Sequence, residues 1–72
     1  MSFIEYNHYY YNLNTVVKYV TSKDVENYYA IKLYFPTTDV GEESIYLSSN
    51  IRSTEEAQTA YHQTIKYFNI QI

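Results

Sequence analysis

Tyr28-Tyr29-Ala30-Ile31-Lys32-Leu33-Tyr34-Phe35 alternates from end to end, which predicts a β-strand. Successive side chains of a strand point to opposite faces, so Tyr29, Ile31, Leu33 and Phe35 share one side and Tyr28, Ala30, Lys32 and Tyr34 the other. The first set is a core face. The second belongs where a one-sided antiparallel sheet meets water, yet it sets two tyrosines around one lysine. That outward surface is the main clue to function.

The neighbouring segments extend the same pattern. Pro36 has no N–H for a ladder and stops the strand. Residues 37–43, with Asp39 and the only glycine, Gly41, read as a solvated loop, after which Ser44 to Ser48 alternates with Ile45 and Leu47 inward and Tyr46 outward. On the other side, Ser22 to Asn27 is a polar connector of hairpin length. Val16 to Thr21 is β-branched and aromatic and is expected as a further strand, although its valines do not alternate around Lys18, which a bulge would explain. Tyr9, Tyr11 and Leu13 fall on one face of an earlier strand, with Tyr10 and Asn12 opposite. Phe3 to Tyr6 makes a first strand with Ile4 and Tyr6 inward, joined to the second by a tight turn at Asn7-His8, since Asn tolerates positive φ.

Ser53-Thr54-Glu55-Glu56 is a helix start. Ser53 as N-cap with Glu56 three residues on forms a capping box, and both glutamates favour the positive end of the helix dipole. Ala57, Ala60, Tyr61, Thr64, Ile65 and Phe68 then recur at three- and four-residue spacing as one apolar face. Asn69 suits the left-handed residue after the helix, with Ile70 folding back onto Ile65 in a Schellman ending.

The fold class is therefore α+β: one domain over residues 1–72, an antiparallel β-meander of four to five strands within 3–48, and a C-terminal amphipathic helix, 53–68, packed on one face. Tyr29, Ile31, Leu33, Phe35, Ile45 and Leu47 are expected to face the helix. The other face is expected to carry Tyr10, Lys18, Tyr28, Ala30, Lys32, Tyr34 and Tyr46. Aromatic residues on an exposed sheet can be simple cross-strand pairs with wet hydroxyls. Tyrosine is also enriched where protein surfaces meet, and a contiguous apolar patch is uncommon on a monomer.

Composition narrows the chemistry. With a single glycine there is no phosphate-cradling loop, and no G-x-S-x-G, H-E-x-x-H or cysteine occurs. His8 and His62 read as solvated histidines, and the pairs Glu42-Glu43 and Glu55-Glu56 point in diverging directions, so no catalytic residue, metal site or cofactor is assigned and a non-enzyme is expected. Five basic residues against eight acidic ones, a net charge of −3, disfavour duplex DNA and anionic membranes as partners. The first residues lack a basic start and no apolar run approaches the ~18 residues of a membrane span, so a cytoplasmic location is expected.

The 11 tyrosines beside many asparagines fit the codon bias of a low-GC genome, such as those of many bacteria and their viruses or plasmids. A 72-residue domain buries only about 60% of the surface its unfolded chain exposes, and lacking disulfides and metal it has oligomerisation left as support. The expected function is that of a small protein-interaction module, an accessory or inhibitory factor of phage or mobile-element type. It would act through the tyrosine face, as a homodimer through that face and on a larger protein. The alternative is a binder of small nucleotides or single-stranded nucleic acid that stacks ligands on tyrosines at an oligomer interface, with Lys18, Lys32 or Arg52 meeting phosphate.

Overall fold

Turn chemistry lays out the first hairpin. Asn7 and His8 both take positive φ, 56° and 68°, the left-handed pair that matches the twist of flanking strands. Strand β1 (Phe3–Tyr6) thus folds back antiparallel on β2 (Tyr9–Asn12), pairing Ile4 with Tyr11 and Tyr6 with Tyr9. Ile4 is buried and Tyr6 packs partly against the core, as their alternation predicts. The structure, a computed structural model, describes residues 2–36 and 42–71, the side chain of Glu42 excepted. Of the loop predicted over residues 37–43, residues 37–41, with Asp39 and Gly41, lie outside the described residues, while Glu42 and Glu43 belong to the next strand rather than to a loop.

The hairpin is a sheet of its own. Leu13 does not continue β2 but opens a turn of 3-10 helix, Leu13–Thr15, in which the Asn12 side chain accepts the Asn14 N–H at 2.9 Å. Asparagine offers the backbone this local partner in place of a ladder. The valines that fail to alternate fall mostly in this passage. Val16 packs partly on the core, Val17 is exposed, and the next strand, β3 (Lys18–Lys23), begins only after them.

β3 pairs antiparallel with β4 (Tyr29–Pro36), and β4 with β5 (Glu42–Ser48), giving a three-stranded sheet in the order β3-β4-β5. The strands, expected as one meander of four to five, are thus five divided two and three between separate sheets. Ile31, Leu33, Phe35, Ile45 and Leu47 turn inward and are buried, as their alternation predicts. Tyr29 shares their face but stands at the strand's start and stays 42% exposed, so it frames the core rather than filling it.

Helix α1 (Glu55–Phe68) closes the core over both sheets, with β1 and β5 as its nearest strand neighbours. Ala57, Ala60, Tyr61 and Thr64 are buried, and Ile65 and Phe68 are partly so. Thr64 is satisfied by donating to the Ala60 carbonyl at 2.8 Å. The helix ends as predicted: Asn69 is left-handed, and the Ile70 N–H reaches the Ile65 carbonyl at 3.1 Å while the Asn69 N–H reaches that of Lys66 at 3.3 Å. Its start differs by one residue. Thr54, not Ser53, is the N-cap, and its hydroxyl accepts the Ala57 N–H at 3.1 Å. The Ser53 N–H is taken by the Asn50 carbonyl at 2.9 Å, a turn that holds Ser53 outside the helix. Glu56, freed from a capping box, accepts the Asn7 N–H at 2.5 Å and fastens the hairpin turn to the helix.

Candidate functional site

The face of the three-stranded sheet turned away from the helix is a grid set by strand register. Lys18, Tyr34 and Ser44 form one cross-strand row, Val20, Lys32 and Tyr46 the next, and Ser22, Ala30 and Ser48 the third. Tyr34 is half-buried, and two cations lie over its ring, Lys18 Nζ at 4.6 Å from the centroid and Lys32 Nζ at 5.5 Å. Each such contact at an exposed site contributes about 0.5–1 kcal/mol. Val20, 49% exposed, and Tyr46, 47% exposed, flank Lys32 as open apolar surface. No described side chain of β3, β4 or β5 on this face is acidic.

Four of the residues predicted from sequence, Lys18, Lys32, Tyr34 and Tyr46, are therefore brought together. Tyr10 is not among them: it stands exposed on β2, in the other sheet. Ala30 has the expected register but is fully buried rather than exposed. The Ser48 hydroxyl, on the residue opposite Ala30, donates to Asp24 Oδ2 at 2.6 Å. Tyr28 sits half-buried in the turn ahead of β4, its N–H held by Asp24 Oδ1 at 3.1 Å. Val20, which the grid places beside Lys32 on the edge strand, was missed because its alternation was blurred by the valines before Lys18. Counting from Lys18 alone puts it outward.

The connector read as plain polar sequence is an ordered clasp at the end of this face. Asp24 Oδ1 also accepts the Glu26 N–H at 3.0 Å, and Asn27 takes φ 67° to bring the chain round. Ser48 Oγ in turn accepts the Asn50 N–H at 3.1 Å, and Arg52 pairs with Glu26 at 3.3 Å, with the arginine side chain in solvent. Such an exposed pair adds little stability. The Ser48 hydroxyl, followed by the backbone N–H groups of Glu26 and Tyr28, holds the Asp24 carboxyl below its ordinary value despite some desolvation.

A second concavity lies between the hairpin and the start of α1. It encloses about 570 Å³ and is lined by Phe3, Glu5, Tyr10, Glu55, Glu56, Thr59 and Gln63. It sets exposed aromatic rings among three carboxylates, and no local pattern announces it because its walls come from opposite ends of the sequence. The remaining chemistry is sparse. His8 and His62 are both exposed, His62 edge-on to the Tyr61 ring at 5.3 Å. Burial pushes the Tyr61 and Tyr11 phenols up, opposed at Tyr61 by the Ser49 hydroxyl and reinforced at Tyr11 by Glu43. Among the described residues no three of His, Asp and Glu gather where a metal ion would sit, and no helix is long and apolar enough to cross a membrane. A scan against protein-family models finds no match, and comparisons with curated proteins and with solved structures likewise return none.

Proposed function

We propose that this chain is a small, non-enzymatic protein-interaction module whose contact surface is the basic and aromatic face of the three-stranded sheet. The observation that carries the reading is the grid itself: Lys18 and Lys32 bracket Tyr34, beside open Val20 and Tyr46, on an acidic chain whose described strand side chains put no carboxylate there and whose Asp24, at the far end of the face, is tied to Ser48. The fitting partner is a larger protein that presents carboxylates around an apolar spot. Complementary charge of this kind steers association and fixes orientation more than it adds affinity. A small acidic chain of this character suits an accessory or inhibitory factor of a phage or mobile element.

Two other uses of the face are less well supported. Pairing it with its own copy would bring Lys18 and Lys32 of both chains together, and like charges across an interface cost several kcal/mol by general estimate. Stacking a nucleotide on Tyr34 would first require removing the lysine that already lies 4.6 Å over the ring.

The test is affinity capture with the wild-type chain and with a Lys32→Glu/Tyr46→Ala double variant of unchanged circular dichroism. The expected result is a protein bound by the wild type, retained by a Glu55→Gln control and lost by the double variant. A partner that binds all three equally, or a bound nucleotide seen in the ultraviolet spectrum of the purified chain, would overturn the reading.

A further inference from the structure

The edge of β3 carries an inference independent of its face. β3 is the terminal strand of its sheet, all six of its residues are exposed, and it holds an unbroken register with β4 from Lys18 to Lys23. Its hydrogen-bonding direction follows from two bonds. The Asp24 N–H meets the Tyr28 carbonyl at 2.7 Å, in register with the β3–β4 ladder, and the Ser49 N–H meets the Tyr29 carbonyl at 3.0 Å, in register with β4–β5. Even-numbered residues of β4 therefore bond towards β3 and odd-numbered ones towards β5. On β3 the even-numbered residues are correspondingly turned to β4. That leaves Tyr19, Thr21 and Lys23 with N–H and C=O groups aimed outward from the sheet.

We propose that this edge pairs antiparallel with β3 of a second copy about a two-fold axis at Thr21, joining the two sheets into one continuous sheet. Register selects this axis. Pairs that differ by one residue would set the helix-side face of one copy against the outer face of the other. Shifting by two residues leaves either Tyr19 or Lys23 without a partner. With the axis at Thr21, Thr21 pairs with itself and Tyr19 with Lys23 of the second copy, so every outward N–H and C=O of the strand is satisfied.

Charge agrees with this register. Lysines at strand ends usually protect an edge from pairing, but here they do not oppose one another. Lys23 falls beside the Tyr19 ring, which packs on Phe68 at 5.2 Å. Lys18, drawn over the Tyr34 ring of its own sheet, falls opposite Asp24, whose carboxylate is already held by Ser48 and by the Glu26 and Tyr28 N–H groups. β3 has no proline, and no bulge interrupts its register with β4. The pairing places the two basic faces side by side on one surface, so it leaves the proposed contact face free.

Sedimentation and light scattering at high micromolar concentration test the pairing. The wild type is expected to be dimeric and Thr21→Pro monomeric with unchanged helix content, since proline removes an N–H that β4 does not use. Tyr34→Lys is expected to remain dimeric. Because the chain has no cysteine, Thr21→Cys adds a fold-preserving test. Residues paired across such an axis lie about 5.5 Å apart at Cα, within disulfide reach, so mild oxidation is expected to link most of the chain into dimers. A monomeric wild type, a Thr21→Pro dimer, or Thr21→Cys that crosslinks no better than Tyr46→Cys would overturn the proposal. A dimer lost only in Tyr34→Lys would instead mean that the copies meet face to face.

Discussion

The sheet face of Lys18, Lys32, Tyr34 and Tyr46 and the concavity of Phe3, Glu5, Tyr10, Glu55 and Glu56 carry opposite charge on one small chain, and they are built in opposite ways. The face is made by neighbouring strands whose alternation repeats every second residue, so any one strand announces its share. The concavity is made where the first hairpin meets a helix start, joined by the Asn7 N–H on Glu56 across 49 residues. Its members share no period. Surfaces of the first kind are written locally, and those of the second exist only once tertiary packing has brought distant turns together.

The largest blow to both regions at once is expected from Leu33→Ala. Leu33 is fully buried between the two neighbouring strands, and its truncation should cost about 2–5 kcal/mol, most of what a domain this size holds. Denaturant unfolding should show face and concavity lost in one transition. Two separate transitions would mean that the hairpin and the three-stranded sheet are independent units.

Asp24 sharpens the contrast by acting on the face alone. Its carboxyl is held low in the folded state by Ser48 and by backbone N–H groups, against about 3.9 for an unfolded aspartate. Its contribution is therefore present above that value and is lost as pH falls through the lower folded value. Asp24→Asn should flatten the fall of stability with acid in that window while leaving the exchange rates of β1 and β2 amides unchanged. An unaltered acid profile would show that the clasp does not depend on the charge.

Glu56→Ala should do the reverse. Loss of its bond to Asn7 and of its place in the first helical turn is expected to cost about 1 kcal/mol and to speed amide exchange in the hairpin, with the three-stranded sheet unaffected. Thr54→Ala should cost a similar amount, about 1 kcal/mol, whereas Ser53→Ala should stay within about 0.5 kcal/mol. An equal loss at both positions would contradict the observed cap. Similarly small, Lys32→Ala removes the more distant of the two cations over Tyr34 and should move stability by about 0.5 kcal/mol, the low end for such a contact, even though it sits at the centre of the proposed contact surface.

What could be read beforehand follows the same division. The helix and its Asn69 ending, the Asn7-His8 turn and the inward set Ile31, Leu33, Phe35, Ile45 and Leu47 are governed by spacing and backbone preference, and each stands where those rules put it. The split into two sheets was not legible, because alternation specifies which way a residue faces but not which strand lies beside it. Tyr10 was therefore assigned to the right kind of surface on the wrong sheet. Ala30 failed for a related reason: its register was correct, but it is buried beside Ser48, which bonds Asp24, 24 residues away in sequence, a neighbourhood that alternation does not specify. Thr54 displaced Ser53 because the turn from Asn50 had already taken the Ser53 N–H.

The strand order has a kinetic consequence. Each antiparallel pair joins strands consecutive in the chain, β1 with β2, β3 with β4 and β4 with β5, so these ladders close by short loops. Short loops cost little entropy, and hairpins form in about 1–10 μs. That local pairing does not attach one sheet to the other; beyond the Tyr11–Phe35 ring contact, α1 covers both, and it follows every strand in the chain. On the ribosome, Ile4, Ile31, Leu33 and Leu47 would all emerge before the helix that covers them. The nascent chain thus carries two uncovered apolar faces until residues 55–68 have been made.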